Sequence, residues 1–138
     1  MSIERERSYG GVVIRDDELL VITPAGRPGI ATLPKGGAAG DEAPEATAQR
    51  EVREETGVEA RVRELAGDVE YWYRRGGQRV FKTVRFYLCE FVEGNTDDHD
   101  DEVDDARWLP LEAARTQLTY PGEREMIERA LSRLRPDR

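Results

Sequence analysis

Gly36 to Val58 reads GGAAGDEAPEATAQREVREETGV. Its second half, Pro44 to Thr56, is built from strong helix formers, with a proline in the first turn and acids Glu42 and Glu45 near the positive N-terminal end. Gly57 follows the last turn. These are the start and stop signals of a helix of about three turns. At about 100° per residue, Glu54 and Glu55 lie roughly 60° and 40° to either side of Glu51, so three carboxylates share an arc of roughly 100°. Ala48 and Val52, four residues apart, mark the buried edge. Like charges at this spacing repel by some tenths of a kcal/mol per pair, so a positive partner is expected. Clustered oxygen donors suit Mg²⁺ or Mn²⁺, and one Cys with one His provides no structural zinc set. The same pattern also fits a solvated helix face laced with Arg50 and Arg53. The glycine-rich segment before the helix and the glycine after it favour a site.

Working outward, Ser8 to Thr23 reads as a hairpin turned at Arg15-Asp16-Asp17, and Pro24 to Gly40 is too rich in Pro and Gly for a regular element, so it is a surface loop. Past the helix, Val58–Ala66 and Asp68–Arg75 read as extended. Gly76-Gly77 supplies the positive φ values of a two-residue hairpin loop, and Gln78–Val92 returns as a long strand. Opposed residue numbers then sum to 153, which sets Tyr71 across from Lys82 and Tyr73 across from Val80, with Tyr71, Tyr73 and Lys82 on one face. An exposed acidic loop, Gly94 to Asp105, leads to a short strand Ala106–Leu109. Pro110 opens a helical turn. Pro121 opens a last helix whose Met126, Ile127, Ala130, Leu131 and Leu134 form a core-packing stripe. Trp72 and Trp108 read as packing residues, and His99 as a solvated side chain.

The chain has 138 residues with 21 Lys+Arg against 29 Asp+Glu, and 38% hydrophobic residues. That length fits one domain. The longest aliphatic run, Leu19 to Ile22, is far short of the ~20 residues that cross a bilayer, and no secretory signal opens the chain. Cys89 is a small core side chain, consistent with a reducing, cytoplasmic setting. The formal charge of −8 is local: Asp97, Asp98, Asp100, Asp101, Glu102, Asp104 and Asp105 account for nearly all of it. The overall field therefore disfavours long nucleic acid, and an anionic ligand needs cations gathered locally.

The Gly36–Val58 stretch resembles the Nudix box, G-x5-E-x7-R-E-U-x-E-E-x-G-U with U aliphatic. Here Gly36, Glu42, Arg50, Glu51, Val52, Glu54, Glu55, Gly57 and Val58 fill the defined positions. Leu33-Pro34-Lys35 before it, Trp108-Leu109-Pro110 and the closing helix extend the resemblance over nearly the whole chain. It implies one domain over residues 1–138, an α/β Nudix fold with a mixed β-sheet sandwiched between helices. It also implies hydrolysis of a nucleoside diphosphate linked to another moiety, with Mg²⁺ or Mn²⁺ as cofactor. Glu51, Glu54 and Glu55 are then metal ligands, joined by a backbone carbonyl near Lys35 or Gly36. Arg50 orients a glutamate, Gly57 ends the helix, and Glu42 ties the loop to the helix start. Glu54 and Glu102 are both candidates for the base, Glu102 standing six residues before Trp108.

Tyr71 to Cys89 contains no acid, yet holds Arg74, Arg75, Arg79, Lys82 and Arg85 among aromatic residues. Aromatics can stack on a base while Lys or Arg contacts phosphates; an ordinary hairpin with cations at its tip fits equally. The Leu33-Pro34-Lys35-Gly36 lead-in most resembles the branch that cleaves diadenosine polyphosphates, with diphosphoinositol polyphosphate hydrolases close behind. Lys35 would then meet a distal phosphate, and Tyr73, Tyr87 and Tyr120 are stacking candidates. Sanitation of oxidised guanine nucleotides, and a noncatalytic nucleotide-sensing domain, stand as alternatives. The expected partner is a small nucleotide or polyphosphate, with no membrane, in a monomer or homodimer.

Overall fold

A computed structural model describes residues 2–134; residues 1 and 135–138 of the expected domain lie outside the described residues. The elements run β1 (Ile3–Arg15), β2 (Glu18–Pro24), β3 (Lys35–Gly36), α1 (Pro44–Thr56), β4 (Val58–Arg75), β5 (Gln78–Gly94), β6 (Val103–Pro110), α2 (Leu111–Gln117) and α3 (Pro121–Leu134). One mixed sheet has the order β4-β5-β1-β2-β6, with β3 paired on β1. Only β1 and β5 run parallel. Helix α1 packs on one face, where Ala48 and Val52 meet Val13, Leu20, Val58, Tyr87 and Cys89. Helices α2 and α3 cover the other, where Leu111, Ala114, Met126, Ile127 and Ala130 meet Val12, Leu19, Val84 and Phe86. This is the expected α/β/α sandwich.

The two sides follow from period-2 alternation along β5: Val84, Phe86 and Leu88 point to the α3 side, Tyr87 and Cys89 to the α1 side. The hairpin register is as expected, with Tyr71 opposite Lys82 and Tyr73 opposite Val80 around Gly76-Gly77. The two extended segments expected after α1 form one strand, bulged between Leu65 and Gly67. Gly67 adopts φ 157° there and lies against Met126. Strand β1 begins at Ile3 rather than Ser8, because its charged N-terminal half pairs along β5.

Two packing expectations need correction. Leu134, in the last turn of α3, is 50% exposed rather than part of the core stripe, which ends in the buried Met126, Ile127 and Ala130 with Leu131 packed against them. Trp72 is 48% exposed on the outer part of the hairpin. The acidic loop is exposed as expected and is also anchored: a 3₁₀ turn over Thr96–Asp98 is capped by the Asn95 side chain, and the Asp100 N–H donates to the Glu54 carbonyl. No helix among the described residues is long and apolar enough to cross a membrane.

Candidate active site

Helix α1 carries the acids. With Ala48 and Val52 fully buried against the sheet, Glu51 and Glu55 turn toward β3 and Glu54 toward solvent. Gly36 lies directly beneath Glu51: a Cβ there would fall 2.1–2.5 Å from its carboxyl atoms. Glu55 accepts the Lys35 N–H at 2.9 Å. Gly57 ends the helix at φ 77° and returns its N–H to the Arg53 carbonyl, the left-handed stop that glycine adopts without strain.

Arg50 is the compensating cation. Its guanidinium donates to Glu42 through Nε at 2.9 Å, to Glu54 at 3.0 Å, to Glu51 at 3.3 Å and to the Gly37 carbonyl at 2.8 Å. Glu42 also accepts from the Ala39 N–H and the Thr47 hydroxyl. These bonds, Arg50 first, hold its carboxyl down to about 2. The loop before the helix is thereby fastened to the helix face.

Two of the box glutamates remain short of positive charge. Burial pushes Glu55 up to about 7 despite the Lys35 N–H, with Glu51 and Asp100 adding repulsion. Glu51 is also raised by burial, and Glu54 and Glu102 add to it. The Glu102 charge thus adds to the rise of Glu51, and the Asp100 charge of the same loop to that of Glu55. As placed, no group of three acids among the described residues converges to hold an ion, because Arg50 spans Glu51 and Glu54 while Lys35 holds Glu55. In type and charge the donor set, all oxygen and partly desolvated, fits a hard divalent cation.

A cleft of about 610 Å³ opens on the α3 side, lined in part by Lys35, Tyr71, Tyr73, Lys82, Tyr120 and Glu123. Lys35 joins it to the glutamates: its N–H meets Glu55, while its ammonium lies 3.3 Å from the Thr32 hydroxyl and 3.8 Å from Glu123. Of the expected substrate residues, Lys35, Tyr71, Tyr73, Lys82 and Tyr120 come together here. Arg85 and Tyr87 do not. Their side chains follow the opposite phase of β5, where Arg85 pairs with Asp68 and Tyr87 is buried against α1.

Lys82 donates to Glu6 at 2.9 Å and the Tyr73 hydroxyl donates to the same carboxylate at 2.7 Å. With Arg75 as the strongest partner, these hold Glu6 down to about 2, so the Lys82 charge is already neutralised. Sequence reasoning missed Glu6, Glu123 and Arg27. Glu123, 3% exposed, accepts from the Thr32 hydroxyl at 2.8 Å and the Leu33 N–H at 3.0 Å, fixing the lead-in strand. Its place in the apolar stripe of α3, three and four residues before Met126 and Ile127, was the available signal. Arg27 lines the cleft mouth and donates to the Tyr120 hydroxyl at 3.4 Å; no ion pair holds it among the described residues. Only composition marked that loop.

Comparison with known proteins bears on the family and the fold. The chain is 38% identical over 137 residues to a Mycobacterium tuberculosis protein carrying the name mutator protein MutT4, covering 93% of this chain and 55% of that one. It is 36% identical over 102 residues to the 8-oxo-(d)GTP phosphatase of Mycolicibacterium smegmatis, covering 74% of this chain and 30% of that one. It spans about half or less of the length of these curated relatives. Among solved structures, a C. elegans Ap4A hydrolase in a binary complex superposes with a TM-score of 0.76 at 21% identity, over 95% of this chain and 98% of that one. A NUDIX hydrolase from Nitrosomonas europaea superposes at 0.75 with 21% identity, over 94% and 90%. These last two speak for the fold alone. The NUDIX domain model matches residues 4–130, the span that holds both the glutamate helix and the cleft, and the chain therefore belongs to the NUDIX domain family.

Proposed function

We propose that the chain hydrolyses a phosphoanhydride bond of a nucleoside polyphosphate with the help of Mg²⁺ or Mn²⁺. The observation that carries this is Lys35, whose backbone meets the box glutamate Glu55 and whose ammonium enters the aromatic cleft. A phosphate chain that starts from a base in the cleft passes over Lys35 to reach the acids. Glu51, Glu54 and Glu55, with the Gly36 carbonyl, would hold the ions. Bound there, divalent ions supply charge neutralisation for the phosphates and a more acidic water.

The chain's own residues supply the rest. Tyr71 and Tyr120 wall the cleft and stack on the base; Tyr73 and Lys82, locked on Glu6, shape its floor. Arg27 and Lys35 offer charge to the phosphates. Glu54, the most exposed of the three box acids, is the leading candidate to take the proton from the attacking water, with Glu102 as the alternative. Arg50 positions Glu51 and Glu54.

Dinucleoside polyphosphates of the diadenosine tetra- to hexaphosphate type fit the lead-in Leu33-Pro34-Lys35. Oxidised guanine nucleotides are the second reading, favoured by likeness to a named 8-oxo-(d)GTP phosphatase. The test is a Mg²⁺ assay with product identification over diadenosine polyphosphates, diphosphoinositol polyphosphates, ADP-ribose, dGTP and 8-oxo-dGTP. Turnover of a dinucleoside polyphosphate tenfold above 8-oxo-dGTP supports the first, and the reverse order the second. Binding without turnover across the whole panel supports a nucleotide-sensing domain instead.

A further inference from the structure

The hairpin of β4 and β5 extends beyond the part of the sheet that α1 covers, and its two faces differ in chemistry. The cleft face carries Tyr71, Tyr73, Lys82 and Glu6. On the other face the register puts Trp72 opposite Phe81, Arg74 opposite Arg79, and Arg5 and Arg7 beside Phe81 and Thr83. The rings of Trp72 and Phe81 lie 4.9 Å apart between centroids, with the Arg79 guanidinium 4.4 Å over Trp72 and the Arg5 guanidinium 5.6 Å over Phe81.

Arg5, Arg7, Arg74 and Arg79 are all exposed, and none has an ion-pair partner among the described residues. Arg75, one residue away on the cleft face, pairs with both Glu4 and Glu6. The acids of this outer face sit inboard of the rings: Glu70 accepts from Thr83 and Asp68 pairs with Arg85. In a chain of formal charge −8, four arginines without an ion pair around the exposed Trp72 and the half-buried Phe81 are a local reversal of sign. From Arg79 to Thr83 the platform spans about 13 Å of strand, the scale of a few nucleotides.

We propose that this face binds single-stranded nucleic acid, with bases stacked on Trp72 and Phe81 and backbone phosphates on Arg5, Arg7, Arg74 and Arg79. Stacking surfaces interleaved with arginine are how strands are held without sequence preference. An acidic protein segment would match the arginines but leave the Trp72 ring unused, so the exposure of Trp72 decides between them. The cleft lies on the opposite side of the sheet, so the two sites are separate, and this one stands whatever nucleotide the cleft takes.

The test is fluorescence anisotropy of a 5′-labelled twelve-nucleotide oligouridylate with the full chain, in low salt and with chelator so that nothing is hydrolysed. The wild type is expected to bind with a steep salt dependence. Trp72→Ala should weaken binding at least about fivefold, and Arg74→Glu with Arg79→Glu should weaken it further and lower the log–log salt slope by about 1.4. The charge-matched Arg61→Glu with Arg63→Glu, at exposed residues that both pair with Glu90, should bind as wild type, and hydrolysis of mononucleotides should be unchanged in the Trp72→Ala protein. Circular dichroism confirms that each variant folds. Four results overturn the proposal: no oligonucleotide binding; loss with Lys35→Ala or Tyr71→Ala but not with Trp72→Ala and Arg74→Glu/Arg79→Glu; displacement by polyglutamate as effective as by unlabelled oligonucleotide; or a change of oligomeric state in Arg74→Glu/Arg79→Glu that accounts for the loss. The third assigns the face to an acidic protein segment, and the fourth to contact between copies of the chain.

Discussion

Arg50 grips Glu42 with two nitrogens, Nε at 2.9 Å and a terminal nitrogen at 3.0 Å, across the turn that leads into α1. The remaining terminal nitrogen reaches Glu51 and Glu54. One planar fork thus ties the preceding loop to two of the acids, a geometry that an ammonium cannot reproduce. Arg50→Lys is expected to lose most of the activity, much as Arg50→Ala does, and to lower the melting temperature by several degrees. Retention of wild-type kcat in Arg50→Lys would show that charge alone suffices there.

The Glu54 side chain is 45% exposed and, among the described residues, bound only by Arg50, so removing its charge disturbs little packing. Glu54→Gln should melt within a few degrees of the wild type while kcat falls by about 10²- to 10⁴-fold. Glu102→Gln provides the comparison: whichever variant flattens the alkaline or acid limb of the pH–rate profile identifies the group that accepts the proton.

Two glutamates near the site respond to pH with opposite sign. Glu42 is held down to about 2 from an ordinary value of 4.5, so its contribution to stability is complete above about 4.5 and is lost as pH falls toward 2. Glu55 is pushed up to about 7 by burial; the folded state holds its proton more tightly, so that contribution is complete below about 4.5 and is lost as pH rises through 7. Melting curves of the metal-free protein should therefore show a decline between pH 5 and pH 8 that Glu55→Gln removes, while Glu42→Gln blunts the decline below pH 4.5. Addition of Mg²⁺ should offset the alkaline decline in the wild type.

Gly36 and Gly57 should separate function from stability. A methyl group at Gly36 meets the end of the Glu51 side chain, which can swing aside, so Gly36→Ala should cost activity at little cost in melting temperature. At Gly57 it meets the Asn95 carbonyl at 2.3 Å from a backbone at φ 77°. Gly57→Ala should destabilise by more than the ~1–2 kcal/mol of a left-handed residue. Gly26→Ala, at φ 74° with open space around it, should show only that smaller penalty, and comparing the three melts checks both statements.

Helix α1 and its glycine stop were legible because caps, period and charge all act within one local stretch, and the β4–β5 register was legible because a two-residue loop fixes it. Arg85 and Tyr87 stand three and five residues past Lys82, so the period-2 alternation of β5 alone puts them on the face opposite the cleft, which their cationic and aromatic types obscured. Glu6, Glu123 and Arg27 reach the cleft from positions distant in the chain, where no local rule brings them together. The alternating IERER at residues 3–7 was itself a strand signal, with arginines on one face and glutamates on the other. Exposure of Trp72 was hidden because its type argued for burial and only the reach of the hairpin past α1 decides otherwise.

The parallel ladder of β1 on β5 joins residues 3–14 to residues 79–90. During synthesis this strand therefore emerges long before its main partner exists, and only short contacts are available to it earlier, with β2 at Ile14 and Arg15 and with β3 at Tyr9 and Gly10. Completion of the sheet waits for the β4–β5 hairpin, so the folding rate is set by long-range closure rather than by the helices. The alternating charges of the waiting strand suit it to that interval, since they keep an unpaired edge in solution and away from its neighbours.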